Sequence, residues 1–202
     1  IIKQESIVYL AKFNQPLLDV SKLKIKGSHN RSNALSALAL GEAAGLDMAS
    51  MLSTLQNYPG LEHRCQWLKC SDGVDYYNDS KGTNVGATVA ALEGLGPDTQ
   101  GKIILMAGGV AKGADFSFMK EATKQYVTTL VLYGQDKLSL AEALKGQADI
   151  KLADSFEQAF NLAHKNAQHG DAVLLSPACA SFDMFKNFEH RGQVFTQLVE
   201  SL

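Results

Sequence analysis

From Lys102 onward, short apolar runs alternate with stretches of helical spacing, and that alternation admits few folds. Lys102 to Ala107, Thr128 to Tyr133, Ile150 to Ala153 and Ala172 to Ser176 read as strands. Phe116 to Tyr126, Leu138 to Leu144 and a segment opening at Asp154 read as the helices between them, and a last helix ends near Leu202. Asp154 with Glu157 three residues on has the form of a capping box. Strands alternating with helices build βαβ units. The expected fold is α/β, with a mostly parallel sheet covered by helices on both faces.

The first part of the chain has a different rhythm. Ser6 to Phe13 is rich in β-formers, and Leu17 to Ile25 suits one or two further short strands. Alanine and leucine then recur at helical spacing from Asn33 to Leu46, and Gly45 suits the helix end. Asp47 is placed to cap a second helix running to about Tyr58. Pro59-Gly60 is the strongest break and the expected boundary between segments 1–59 and 60–202. Beyond it, Arg64 to Cys70 and Val74 to Asn78 flank Ser71-Asp72-Gly73 as a hairpin, followed by a helix from about Thr83 to Leu92.

Composition removes several classes of function. A net charge of -2 on 202 residues gives no field to steer nucleic acid or an anionic membrane. Cys65, Cys70 and Cys179 form neither a CxxC pair nor an even set, so a disulfide framework or zinc site is not expected, and a reducing cytoplasmic setting is. No apolar run approaches the ~20 residues of a membrane span, and no signal peptide is present. The chain opens on Ile1 in strand-like sequence, which is expected of a fragment or processed product.

In parallel sheets, ligands sit beyond the carboxyl ends of the strands, and the polar clusters fall there. Tyr77 to Asn84 places an acid, a lysine, two aliphatic hydroxyls and two amides around one glycine. It reads either as an anion grip feeding a helix start or as a solvated turn with a cap. Gly108-Gly109 with Lys112 lets backbone approach a ligand and adds a mobile charge, or forms a tight strand-to-helix turn. Tyr133 to Asp136 and Ser176 to Ser181 follow two more strands. His29, Asn30 and Asn33 open the first long helix; the two amides are spaced to read a purine edge or to cap the helix. His63-Arg64 stands beside the boundary, as a phosphate contact or as solvated linker.

Other motifs fail on inspection. Gly96 to Lys102 imitates a P-loop, but Ile103 replaces the magnesium-binding hydroxyl and the segment enters a strand instead of opening a helix. There is no GxGxxG and no GxSxG elbow. Cys179 and Ser176 are therefore not expected to be nucleophiles, and Ser181 suits a donor to an anion. His164, His169 and His190 are expected on helix surfaces. Trp67, Phe116, Phe118 and Phe195 are expected in the core.

Read together, the segments resemble the Mur ligase family. The pieces are His29 to Asn33 with its Ala/Leu helix, Gly60 to Arg64, Asn78 to Asn84, Gly108-Gly109 with Lys112 and Ala114 to Phe116, and Ser176 to Asp183 continuing through Phe185 to Phe188 and Arg191-Gly192. Ser176 to Phe188 points to the D-glutamate-adding branch. The resemblance implies a remnant of the central ATP-binding domain over 1–59 and a Rossmann-like, amino-acid-binding C-terminal domain over 60–202. It implies a monomeric ligase that uses ATP and Mg2+ to join D-glutamate to UDP-N-acetylmuramoyl-L-alanine through an acyl phosphate, in peptidoglycan precursor synthesis.

Carried over position by position, the resemblance puts Asn30 and Asn33 at adenine. It puts His63, Arg64 and Asp79 at ribose and phosphates, and Lys81 at the reacting phosphates as the catalytic residue. Thr83, Lys112, Ser181, Phe182 and Phe188 would hold D-glutamate, the last two partly through backbone. The P-loop, metal ligands and modified lysine of the family are expected upstream, so no metal site and no turnover are expected of this fragment alone. Val110 stands where an acidic residue is expected after the glycine pair, and receives no role. The alternatives are a folylpolyglutamate-synthase-like ligase, a non-catalytic dicarboxylate- or nucleotide-binding module, and half of a nicotinamide oxidoreductase.

Overall fold

A computed structural model describes all of residues 1–202. The chain forms two compact units, Ile1–Gly60 and Leu61–Leu202. In the first unit β1 (Ile2–Gln4), β2 (Ile7–Lys12) and β3 (Gln15–Asp19) make an antiparallel sheet in that order. A 3-10 turn (Val20–Lys22) leads to α1 (Ser28–Ala43) and α2 (Met48–Asn57). Leu10, Leu18, Leu23, Ala34 and Leu38 are its buried core. Asp47 caps α2 by accepting from the Ser50 N–H at 2.8 Å. Helix α1 starts at Ser28, five residues before the alanine-leucine pattern, because Gly27 turns the chain into the helix at φ +93°. Of the one or two short strands expected over Leu17 to Ile25, one forms, as the end of β3, and the chain continues as the 3-10 turn.

The second unit holds a six-stranded sheet. In chain order its elements are β4 (Gln66–Ser71), β5 (Val74–Asn78), α3 (Val85–Leu95), β6 (Ile103–Gly108), α4 (Lys120–Tyr126), β7 (Val127–Tyr133), α5 (Lys137–Ala143), β8 (Asp149–Leu152), α6 (Phe156–Asn166), β9 (Ala172–Leu175) and α7 (Phe188–Glu200). The spatial order is β4-β5-β9-β6-β7-β8. Every pairing is parallel except the β4–β5 hairpin. That hairpin turns on Asp72 and Gly73 at φ +52° and +78°, the two left-handed positions of a type I′ turn.

Period-2 side chains sort the central strands cleanly. Tyr77, Leu174, Leu105, Leu130 and Ile150 stand abreast across five strands. They share one face with Leu92, Met119 and Leu140, contributed by α3, the turn before α4, and α5. Their neighbours Leu175, Met106 and Val131 point to the other face, against Phe156 and Phe160 of α6 and Phe195 of α7. The strands read as continuous apolar runs because both faces are covered.

Several expectations need correction. Helix α3 is shifted toward the C-terminus, since the Asn84 side chain caps it by accepting from the Ala87 N–H at 2.9 Å. The helix over Phe116 to Tyr126 begins as a 3-10 turn (Phe116–Met119), started by Asp115 accepting from the Ser117 N–H. Helix α6 is capped by Ser155, one residue on from Asp154: Ser155 Oγ accepts from Gln158 N–H, while the Gln158 side chain accepts from Asp154 N–H. Asp154 instead pairs with Lys137 at 2.6 Å. Trp67 is 46% exposed on the hairpin's outer strand, where its Nε1–H donates to Asp75, and Phe118 is 74% exposed. Phe116 and Phe195 are core residues. His169 lies outside any helix, and His164 is half-buried with its Nδ1 2.7 Å from the Tyr76 hydroxyl.

Strands β6 and β9 are neighbours whose chains leave toward opposite faces, β6 to the α4 side and β9 to the α7 side. Their carboxyl ends therefore flank the topological switch point, where open α/β sheets bind ligands. Gly108 closes the gap there. At φ +144° an added Cβ would stand 1.9 Å from the Tyr133 carbonyl oxygen. Gly113, five residues on at φ +75°, has open space around it. Gly108→Ala is expected to lose at least about 3 kcal/mol of stability, and Gly113→Ala only about 1 kcal/mol. Urea unfolding of both variants checks this; equal losses would contradict the backbone contact assigned to Gly108.

Candidate functional site

The loops leaving β5, β9, β6 and β7 lie side by side at the carboxyl edge of the sheet and are stitched to one another. The Ala178 N–H donates to the Gly82 carbonyl at 2.9 Å, and Gly108 N–H to Pro177 O at 2.9 Å. Val110 and Ala180 exchange both backbone bonds. Asp136 N–H donates to Gly109 O, and the Asp136 carboxylate accepts from Ala111 N–H at 2.7 Å. The Asp183 carboxylate accepts from Gln135 N–H at 2.8 Å. The Gly108-Gly109 pair thus serves backbone-to-backbone approach: a Cβ on Gly109 would lie 2.1 Å from Ala180 O. Of the two readings of the pair, the tight turn is the one these contacts describe.

Arg191 of α7 holds the first two loops together. Its side chain is 0% exposed. Nε donates to Ser80 Oγ at 3.0 Å, Nη2 to Ser80 O at 2.9 Å, and Nη1 to Cys179 O at 3.2 Å. The Ser80 hydroxyl passes the interaction on by donating to Phe188 O at 2.8 Å. Asn78 accepts from Ser80 N–H through Oδ1, which turns its amide nitrogen toward His63 Nδ1 at 3.1 Å and Gly192 O at 2.9 Å. The same amide nitrogen is 3.1 Å from Thr196 Oγ1, so its two N–H donors are shared among three acceptor positions that join β5 to α7 and to His63.

His63 is buried, at φ +62°, and not part of a solvated linker. Its carbonyl accepts from Lys81 N–H at 3.0 Å, and its ring meets the Phe188 ring edge-on at 6.2 Å. Arg64 beside it is exposed. The Lys81 ammonium stands 3.8 Å from the centre of the Phe188 ring. Thr83 N–H donates to Lys81 O at 2.8 Å. Lys112, held at φ +51°, is exposed, with its ammonium 5.3 Å from the Phe182 ring. Lys112 also lines a cavity of about 580 Å³ with Asp115, Gln135, Asp136 and Ser139; neither Lys81 nor Ser181 lines it. Ser181 is buried, and its carbonyl accepts from Met184 N–H and Phe185 N–H. Asn30 and Asn33 belong to the first unit, where Asn33 donates to Asn30 Oδ1 at 3.3 Å and Asn30 donates to Lys26 O at 2.8 Å.

Asp79 faces inward. It is 8% exposed, and it accepts from Cys65 N–H at 3.1 Å and from Ser176 Oγ at 2.7 Å. Both carboxylate oxygens are engaged in bracing the loop. Burial raises its carboxyl to about 6, opposed by the Ser176 and Cys65 hydrogen bonds and by the charges of Arg64 and Arg191. Burial also pushes the Cys179 thiol up to about 12, with the Arg191 charge pulling the other way. It stays protonated near neutral pH.

The reading of the sequence missed Arg191, Ser80, Asn78, Asp136 and Asp183 as the framework of the site. One of them left a signal. Arg191, Phe195 and Val199 recur every four residues and are all buried, so an arginine sits on the inward stripe of α7.

The chain matches the family model described as "Mur ligase, glutamate ligase domain" over residues 63–179. It is 54% identical over 194 residues to a UDP-N-acetylmuramoylalanine–D-glutamate ligase of Pseudomonas syringae pv. tomato, an overlap covering 96% of this chain and 43% of that protein. It is 50% identical over 202 residues to the protein of the same name from Legionella pneumophila strain Lens, covering 100% and 45%. The chain thus spans less than half the length of these relatives. Among solved structures it resembles MurF from Acinetobacter baumannii, with TM-score 0.65, 18% identity, and coverage of 88% of this chain and 39% of that one. It also resembles Mycobacterium tuberculosis folylpolyglutamate synthase complexed with ADP, with TM-score 0.62, 14% identity, and coverage of 87% and 41%. At these identities the structural likeness speaks for the fold alone.

The buried Asp79 carboxyl sets a pH dependence. The folded chain keeps a proton there that the unfolded chain releases near 3.8. Its stabilising contribution is full below that value and is lost as pH rises through about 6, a difference of about 3 kcal/mol. Urea unfolding between about pH 4 and about pH 8 is expected to show this loss in the native chain and not in Asp79→Asn. Parallel profiles would contradict the inward placement.

Proposed function

The chain belongs to the Mur ligase family, and on that premise we propose that it forms part of an ATP-dependent ligase joining D-glutamate to UDP-N-acetylmuramoyl-L-alanine. Relatives of that name, at 50% and 54% identity, support the reading. The observation that carries it is the carboxyl rim of the second unit. There Lys81 and Lys112 each stand over a phenylalanine of the one segment that leaves β9. Two cations and a buried serine suit a nucleotide phosphate and an amino acid with two carboxylates. We take the second unit as the amino-acid-binding domain and the first as belonging to the ATP-binding one. A cytoplasmic, monomeric enzyme of peptidoglycan precursor synthesis is part of the same proposal, and no helix is long and apolar enough to cross a membrane.

In this reaction the substrate carboxylate oxygen attacks the γ-phosphorus of ATP, ADP leaves, and an acyl phosphate remains. The D-glutamate amine attacks the acyl carbon, inorganic phosphate leaves, and the nitrogen gives up a proton to become the amide. Such chemistry asks for placement and charge neutralisation more than for a protein nucleophile. In our reading Lys81 meets the charge on the transferred phosphoryl group. His63 and Arg64 address the nucleotide's phosphates and ribose, while Asp79 braces the loop beneath them. Thr83, Lys112 and Ser181, with backbone of Phe182 and Phe188, hold the D-glutamate carboxylates. The amides of Asn30 and Asn33 are candidates for the adenine edge on the strength of the resemblance alone. No group of three or more His, Cys, Asp or Glu side chains converges in the chain, and Mg2+, which the resemblance expects to be held upstream, is assigned no residue in this reading.

Steady-state kinetics of Lys112→Ala in the full-length ligase tests the assignment. The KM for D-glutamate is expected to rise at least about tenfold while the KM for ATP changes by less than about twofold, since a lost charge-assisted contact is worth about 1.5–3 kcal/mol. Equal effects on both substrates would remove Lys112 from the amino-acid site.

A further inference from the structure

We propose that Phe188 is a positioning residue for Lys81, holding the ammonium in place through the face of its ring. Lys81 Nζ lies 3.8 Å from the ring centre, the closest of the three cation–ring approaches in the chain. No carboxylate pairs with it. A lysine ammonium on a flexible four-carbon stem would otherwise sample many rotamers in water. The ring supplies an attractive site on one side of the ammonium, and the N–H donors on the other side are left for anionic oxygens.

The platform is itself fixed. Phe188 is the first residue of α7, and its carbonyl accepts from Ser80 Oγ, which in turn accepts from the buried Arg191. Asn187 caps the same turn by accepting from His190 N–H at 2.8 Å. The ring lies nearly perpendicular to that of His63, whose carbonyl accepts from the backbone N–H of Lys81. Lys81 is therefore held at its backbone by His63 and at its ammonium by Phe188, and those two side chains touch each other. Phe188 thereby acquires a part separate from any backbone contact with D-glutamate: it fixes where the phosphate-facing charge sits.

This inference rests on the ligase reading above, and its test separates the two. In full-length protein labelled with 13C at lysine, the Lys81 ε-methylene, assigned by its loss in Lys81→Arg, is expected to be shifted upfield by the ring. Phe188→Leu should abolish that shift and Phe188→Tyr should keep it. In kinetics Phe188→Leu is expected to lower kcat about tenfold with KM for D-glutamate within about twofold, and Phe188→Tyr to restore kcat to within about threefold of the native value. An unshifted Lys81 resonance in the native protein overturns the proposal whether or not the variants fold. A shifted resonance with equal kcat in the Leu and Tyr variants overturns the positioning role. A shifted resonance in a protein that joins no D-glutamate supports the platform and overturns the ligase reading instead.

Discussion

The buried guanidinium of Arg191 is the interaction on which the candidate site depends. A cation taken fully out of water is costly unless its donors are satisfied. Here the compensation comes from three oxygens on two loops, Ser80 Oγ, Ser80 O and Cys179 O, with no carboxylate in direct contact. Removing the arginine would leave two buried carbonyls without a partner and would free the loops after β5 and β9 from each other and from α7. Gly192, next in the helix, completes the fit. A Cβ there would stand 2.3 Å from His63 Nδ1, so the absent side chain is what lets the His63 ring pack against α7.

From that anchor the geometry of the rim follows outward. Ser80 relays to Phe188, Phe188 carries Lys81, and His63 ties Lys81 back to Asn78. Asp79 turns inward to Ser176 and Cys65, so the loop shows solvent its lysine and keeps its acid buried. On the far side of the switch point, Gly108 and Gly109 let the neighbouring loops approach at backbone distance, which sets the height at which Lys112 emerges. The rigid parallel sheet below supplies the register, and the loops supply the chemistry.

Much of this was legible in the residues. The four apolar runs became β6 to β9, the Asp72-Gly73 hairpin formed as its turn chemistry demands, and the polar clusters did fall after the strands. Local physics dictates those features. Boundaries slipped where a side-chain cap overrode periodicity, as with Asn84 before α3 and Ser155 before α6. The inner framework was not legible because its contacts are not local. Arg191 and Ser80 are 111 residues apart, and Asp79 and Ser176 are 97 apart. Nor does sequence announce that His63, Cys65 and Lys112 adopt left-handed backbone angles without glycine. Trp67 and Phe118 misled for a simpler reason: large apolar side chains are frequent on surfaces, so residue type alone does not place them in a core.

Hydrogen–deuterium exchange on Arg191→Met tests the central claim most directly. If the guanidinium is the clasp, amides of residues 78–84 and 176–181 exchange at least about tenfold faster in the variant, while the interiors of β6 and β7 keep their protection. Unchanged protection in both loops, or an equal increase throughout the second unit, would contradict it.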